Sequence, residues 1–293
     1  MESMRREVSS AVLKERMMTT IAFQGAFGAN SDLACRAVFP KSKTLPCIGF
    51  DDAFEAIVEG RADLAMIPVE NSVAGRVADV HHLLPQGGLH IIGEHYQPIE
   101  HHLLAVRGAK LKDIKRAESH VHALAQCQKW LKRHHIYSVV HADTAGAAED
   151  VAKRGDKTVA AIASKLAGKI YGLETLATGI ADGPKNTTRF LILSRDAKEA
   201  RRGSDCITTL VFRVRSVPAA LYKALGGFAT NGVNITKLES YLVGGSFTAA
   251  QFYVDVEGHP KDTPLRLAIE ELAFFAHEVK ILGVYPAHPF RRH

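Results

Sequence analysis

The run Asp63 to Gly75, DLAMIPVENSVAG, sends an apolar segment straight into a carboxylate, an amide and a hydroxyl at Glu70, Asn71 and Ser72. Leu64, Ala65, Met66 and Ile67 suit a strand buried on both faces. Pro68 has no amide hydrogen and is expected to end the pairing. In open α/β sheets ligands bind outside the carboxyl ends of the strands, so the three polar side chains are candidate ligand contacts. The same residues also read as a helix start capped by Asn71 or Ser72, and the local pattern leaves both readings open.

Other reactive residue types carry less. The fifteen histidines include doublets at 81 and 82, 101 and 102, and 134 and 135. Adjacent side chains diverge on a helix or strand and no H-E-x-x-H spacing occurs, so solvated or capping roles are expected and no metal site is assigned. Cys35, Cys47, Cys127 and Cys206 contain no C-x-x-C pair, which argues against a zinc knuckle or a redox dithiol and points to a reducing cytoplasm.

The elements that must position these groups alternate from Thr20 onward, the pattern of a mostly parallel α/β sheet. Candidate strands are TIAFQG, TLPCIGF, DLAMIPV, HIIGEHY, HHLLAVR, SVVHAD, TVAAIA and TTRFLILS. Candidate helices are SDLACRAVF, DDAFEAIVEG, VADVHHLL, HALAQCQKWLKR, TAGAAEDVAKRG and SKLAGKIYG, with Asp143 or Thr144 placed to cap the fifth. Pro98 interrupts the strand character between Leu89 and Val106, where the chain can cross to a second lobe and leave a ligand cleft between the two. The polar stretch Asp196 to Asp205 reads as a linker. After it the order is βαββαβ, a ferredoxin-like split arrangement, with a turn at Gly244 and Gly245. Pro218 and Gly232 bound its first helix, and Leu265, Ala268, Leu272, Phe275 and Ala276 form a core stripe on its second.

Composition sets the outer limits. The 293 residues suggest about two domains of roughly 100 to 200 residues. The net charge of +6 comes from 37 basic and 31 acidic residues with no basic block, which argues against nucleic-acid binding and fits a small anionic substrate. Residues 1 to 18 lack an apolar core of about 7 to 15 residues, so neither a secretory signal nor a transit peptide is expected. They read as a dispensable extension or a misplaced start. No run reaches ~18 apolar residues, so no membrane span is expected.

DLAMIPVENSVAG, SHVHALAQC and NTTRFLIL, in that order and followed by a βαββαβ module containing GVNITKLES, resemble prephenate dehydratase with a C-terminal ACT regulatory domain, over Thr20 to about Tyr285. The resemblance implies a two-lobed, type II periplasmic-binding-protein-like catalytic domain over 19–195, a linker over 196–205, an ACT domain over 206–286 and a tail over 287–293. It also implies decarboxylative dehydration of prephenate to phenylpyruvate in phenylalanine synthesis, without cofactor or metal. Feedback by L-phenylalanine and a homodimer or homotetramer are expected with it. The alternatives are an arogenate dehydratase and a non-catalytic bilobal amino-acid sensor.

Residue by residue, the resemblance makes Thr188 the catalytic contact, its hydroxyl donating to the departing oxygen. Glu70 and Asp143 are candidates for a carboxyl kept protonated by burial, with helix capping the favoured reading of Asp143. Asn71, Ser72, Ser119, Gln126, Thr187, Arg189, Gly28 and Ser31 are expected substrate contacts. Arg189 offers a carboxylate fork, yet alternation along a strand turns it away from Thr188, which leaves a structural ion pair open. Gly28 and Ser31 belong to GAFGANS, where helix amides can receive a carboxylate. Ser119 reads as a cap for the helix holding Gln126, with Val121 and His122 in place of the family's proline and glutamine. Ala219, Ala220, Leu221, Asn234, Glu239 and Ser240 stand at effector positions. Tyr241 and Leu242 replace the usual arginine and proline, so a module that only dimerises is the other reading.

Overall fold

The computed structural model describes residues 18–183, 185–214, 217–242 and 250–292. Residues 1–17 of the expected extension and the turn expected at Gly244 and Gly245 lie outside them. The first lobe is β1 (Thr20–Gln24), α1 (Asn30–Val38), β2 (Lys43–Cys47), α2 (Phe50–Val58), β3 (Leu64–Asn71), β4 (Gly75–Arg76), α3 (Ala78–Gln86) and β5 (His90–Pro98). The second holds β6 (His102–Ala105), β7 (Arg116–Ser119), α4 (Val121–Gln126), α5 (Gln128–Arg133), β8 (Tyr137–Val140), α6 (Thr144–Arg154), β9 (Val159–Ala163), α7 (Lys165–Tyr171) and β10 (Glu174–Ala177). The chain returns to the first lobe as β11 (Thr187–Ser194). It ends in a βαββαβ module: β12 (Cys206–Val214), α8 (Ala220–Thr230), β13 (Ile235–Leu242), β14 (Ala250–Glu257), α9 (Thr263–Phe275) and β15 (Ala276–Pro286).

Among the described residues the strands build a ten-stranded sheet, β13-β14-β12-β15-β5-β11-β3-β1-β2 with β4 on β3, and a five-stranded sheet, β10-β6-β9-β7-β8. Each lobe keeps a parallel trio, β2-β1-β3 or β8-β7-β9. At the two crossings β11 lies antiparallel between β3 and β5, and β6 lies antiparallel between β9 and β10. Strands β7 and β10, RAES and ETLA, are short and partly polar and were not expected from the sequence. HALAQCQKWLKR divides at Cys127, where Asp182 accepts from the amides of Lys129 and Trp130 at 2.6 and 2.9 Å and caps α5. No helix among the described residues is long and apolar enough to cross a membrane.

Pro68 does not end its strand. β3 continues through it to Asn71, and the register with β11 shifts between Arg189 and Phe190, so that Phe190 faces Pro68 and Arg189 faces Glu70. A bulge of this kind accommodates a residue that cannot donate to the ladder. Nor does a helix start here: the side-chain Oδ1 of Asn71 accepts from the amides of Val73 and Ala74 at 3.0 and 2.8 Å, tying the turn from β3 into β4. The lobes also meet where Gly28 packs on α7. A Cβ at Gly28 would lie 2.6 Å from Ala167 Cα, and its φ of +86° favours glycine independently.

The C-terminal sheet packs its helix-free face on the first lobe, joining Ile207, Val211, Tyr241, Tyr253 and Tyr285 to Val80, Leu84 and Ile91 in one apolar cluster. Within that contact both ring nitrogens of His81 and the hydroxyls of Tyr241 and Tyr253 are buried without a partner among the described residues. Burial, followed by the charge of Lys237, pushes the His81 pKa from its ordinary 6.5 down to about 4. The unfolded chain therefore binds the extra proton first, and the stability that a neutral His81 contributes is lost as pH falls from 6.5 towards 4. Between pH 7 and 5 this one group is expected to remove about 2 kcal/mol. Urea midpoints at the two pH values should show the fall, and His81→Phe protein should show a smaller one. Equal falls in the two proteins would rule this out.

Candidate active site

Strand alternation and register decide what faces the space between the lobes. Thr188 pairs with Asn71 and Arg189 with Glu70 across β11 and β3, so the first pair shares one face of the sheet and the second pair the other. Thr188 and Asn71 line a cleft of about 490 Å³, together with Ser31, Gln126 and Asp143 from the expected set. Gln24, Asn30, Arg76, Asp79, His101, His120, His122, Thr144 and Asn186 line it too, with Phe50, Ile99 and Phe190 as apolar wall.

A fixed chain of hydrogen bonds orients the polar groups. Because the Asn71 oxygen is committed to the turn, its Nδ2 donates to Thr188 Oγ1 at 2.9 Å and to Asn186 Oδ1 at 2.6 Å. Asn186 Nδ2 donates to Gln126 Oε1 at 2.7 Å, and His101 Nε2 lies 2.7 Å from the same oxygen. A carbonyl oxygen only accepts, so Nε2 carries the hydrogen. Burial lowers the His101 pKa against the pull of the Gln126 hydrogen bond, which favours the neutral ring. Among the described residues the Thr188 oxygen accepts once and its proton has no protein acceptor, which leaves that proton for a ligand. Asn186 was not singled out from the sequence, and His101 entered only in a doublet expected to be solvated or capping, whereas it is buried. Asn186 opens the quoted NTTRF motif, and His101 sits at the crossing marked by Pro98.

Asp143 reaches the cleft as the cap of α6, accepting from the Gly146 amide at 2.7 Å. Ser31 stands in the first turn of α1, where unpaired amides and the helix dipole favour an anion. The remaining expected contacts are engaged elsewhere. Gly28 donates its amide to Asp32 and gives its carbonyl to the Ser164 hydroxyl, 2.8 and 2.6 Å away, and so belongs to the joint between the lobes. Ser119 is fully buried and donates to the Ile162 carbonyl at 2.6 Å, while the cap of α4 is His120. Ser72 and Thr187 tie β3 to β11, the Ser72 amide donating to the Thr187 carbonyl and the Thr187 amide to the Ser72 hydroxyl.

Arg189 and Glu70 face the C-terminal module. Arg189 is 2% exposed and bonds Asp255, Glu94 and Glu70 at 2.6, 2.9 and 3.3 Å and the Tyr285 hydroxyl at 3.0 Å. Burial raises the Glu70 pKa, but the bond to Lys237 and the charges of Lys237 and Arg189 outweigh it and hold the carboxyl below its ordinary value. A carboxylate held ionised in this way is no proton donor, which removes that expected role of Glu70. Of the expected effector positions, Ala219 adopts the left-handed conformation (φ 59°) at the start of α8, the geometry that a glycine adopts without strain. Ala220 and Leu221 follow in the helix, Asn234 precedes β13, and Glu239 and Ser240 lie on β13 against Arg76.

A sequence model of the family described as Prephenate dehydratase matches residues 21–198. The chain is 53% identical over 273 residues to a bifunctional N-acyl-homoserine lactone acylase/prephenate dehydratase of Komagataeibacter europaeus, covering 93% of this chain and 97% of the relative. It is 40% identical over 280 residues to arogenate dehydratase/prephenate dehydratase 1 of Arabidopsis thaliana, covering 91% and 71%. The crystal structure of prephenate dehydratase from Arthrobacter aurescens in complex with L-Phe superposes with a TM-score of 0.85 at 33% identity, covering 92% and 90%. With this extent of similarity along the cleft-forming lobes and beyond, the chain belongs to the prephenate dehydratase family.

Proposed function

We propose that the cleft converts prephenate to phenylpyruvate, carbon dioxide and water, acting as a lyase without a cofactor. In that reaction the ring carboxylate leaves as carbon dioxide, its bonding electrons close the aromatic ring, and the ring C–O bond breaks. The observation that carries this reading is the Thr188 hydroxyl, whose oxygen is taken by Asn71 and whose proton is free to meet the departing oxygen. Charge grows on that oxygen as its bond breaks, so a donor aimed there acts mainly on the transition state. Gln126 Nε2 and the amides at the start of α1 are further donors for an anion, and Phe50, Ile99 and Phe190 suit its ring.

The C-terminal module is proposed as an ACT domain that takes L-phenylalanine. Its βαββαβ order, the strained Ala219 and the L-Phe complex of the Arthrobacter relative support that reading. Exposed Tyr222 on α8 and Phe274 on α9 support a second copy of the chain as their cover.

A second reading, cleavage of the amide of an N-acyl-homoserine lactone, rests on the 53% identity to a relative named for both activities. The cleft offers hydroxyls at Ser31, Thr144 and Thr188 and imidazoles at His120 and His122 as the required residue types. Purified protein should be assayed in parallel with prephenate, arogenate and an N-acyl-homoserine lactone, with and without phenylalanine. Prephenate turnover that phenylalanine suppresses is expected. No turnover of prephenate would overturn the reading, and faster turnover of arogenate would change the substrate.

A further inference from the structure

Prephenate carries two carboxylates, yet the donors described so far are neutral. Among the described residues lining the cleft, Arg76 is the one lysine or arginine. It occupies the edge strand β4 opposite Glu70, and so on the face turned to the C-terminal module, one residue beyond Gly75, the partner of Asn71 at the rim of the cleft. Its Nη1 is held by the C-terminal module, donating to the Ser240 carbonyl at 3.1 Å and pairing with Glu239 at 3.4 Å. Its Nε and Nη2 have no protein partner among the described residues.

Arg76 also ends a line of alternating charge. Arg189 pairs with Glu70, Glu70 with Lys237, Lys237 with Glu239 at 3.1 Å, and Glu239 with Arg76. Glu239 is thus shared between a cation of the module and a cation of the cleft. The Arg76 side chain is 45% exposed, so the pair is open to solvent and a competing carboxylate can reach the guanidinium.

Resting on the dehydratase reading above, we propose that Arg76 is a substrate-binding residue that takes a carboxylate of prephenate on its Nε and Nη2 edge. Glu239 of the C-terminal module competes for the same charge and so sets the affinity of the cleft for its dianion. A bidentate guanidinium contact suits a carboxylate, and a like-charged neighbour on the same guanidinium weakens it.

The two ends of the pair should therefore behave oppositely. Arg76→Gln in the full chain is expected to raise the prephenate KM about 10- to 100-fold with kcat within about threefold. Arg76→Lys should fall between that variant and the wild type. Glu239→Gln is expected to lower KM by about two- to fivefold, and to lose that effect in the Arg76→Gln background. An ion pair that merely docks the module would move both single variants in the same direction, since each breaks the same contact. A wild-type protein that turns prephenate over while Arg76→Gln keeps its KM, or with both single variants shifted alike, overturns this inference alone. A wild type without turnover removes the dehydratase reading and this inference with it.

Discussion

Thr188→Val protein is expected to turn prephenate over about 100- to 1,000-fold more slowly than the wild type, through kcat with KM little changed. Valine keeps the volume and the β-branched shape of threonine, so the side chain still fills its place beside Asn71 and Phe190. What disappears is the O–H aimed at the leaving oxygen, a donor worth most where charge develops. Asn71 keeps Asn186 as an acceptor at 2.6 Å, so the structural cost of the lost acceptor should be about 1 kcal/mol, too small to unfold the chain. Thr188→Ser restores the hydroxyl and should recover activity to within about tenfold. Steady-state kinetics on the three proteins, with far-ultraviolet circular dichroism to confirm folding, test this. A Thr188→Val enzyme within about threefold of the wild type would remove Thr188 from the chemistry.

Much of this site was legible in the sequence because single strands carry it. The apolar runs Leu64 to Ile67 and Phe190 to Leu193 announce β3 and β11, and Pro98 marks the crossing between lobes. Alternation alone says that Thr188 and Arg189 face opposite ways. Which of Glu70 and Asn71 joins Thr188 depends on the pairing register of two strands more than 100 residues apart, and the bulge at Pro68 sets that register. No local pattern encodes it. Ser119 and Gly28 were misplaced for a related reason: a hydroxyl before a helix or a glycine in a turn has the same local signature whether it faces ligand or packs on a distant element. Here those elements are β9, through Ile162, and α7, through Ser164 and Ala167. Arg76 was invisible because its meaning comes from Glu239, which lies 163 positions away.

Arg189→Met protein is expected to lose about 3 to 5 kcal/mol of stability, the cost of breaking a buried ion cluster from one side. The side chains of Glu94 and Asp255 are fully buried, and Arg189 touches both. Removing it leaves Arg291 as their nearby cation, bonded to Glu94 at 2.6 Å but 3.4 Å from Asp255. Asp255 depends on Arg189 more. Burial raises its pKa, and the charge of Arg189, the Thr209 bond and Arg291 bring it below its ordinary value. Losing the leading cation should let Asp255 take up a proton at higher pH, so the variant should lose stability at a pH where the wild type does not yet do so. The damage should fall where the module meets the first lobe, because Asp255 sits on β14 and Glu94 on β5. Hydrogen exchange should therefore quicken in β12, β14 and β15 before β7 and β9. Asp255→Asn added to Arg189→Met removes the orphaned charge and should recover part of the loss, a coupling of about 1 to 3 kcal/mol in a double-mutant cycle. Additive losses in that cycle, or exchange that quickens first in the second lobe, would show that Arg189 does not clamp the module to the first lobe.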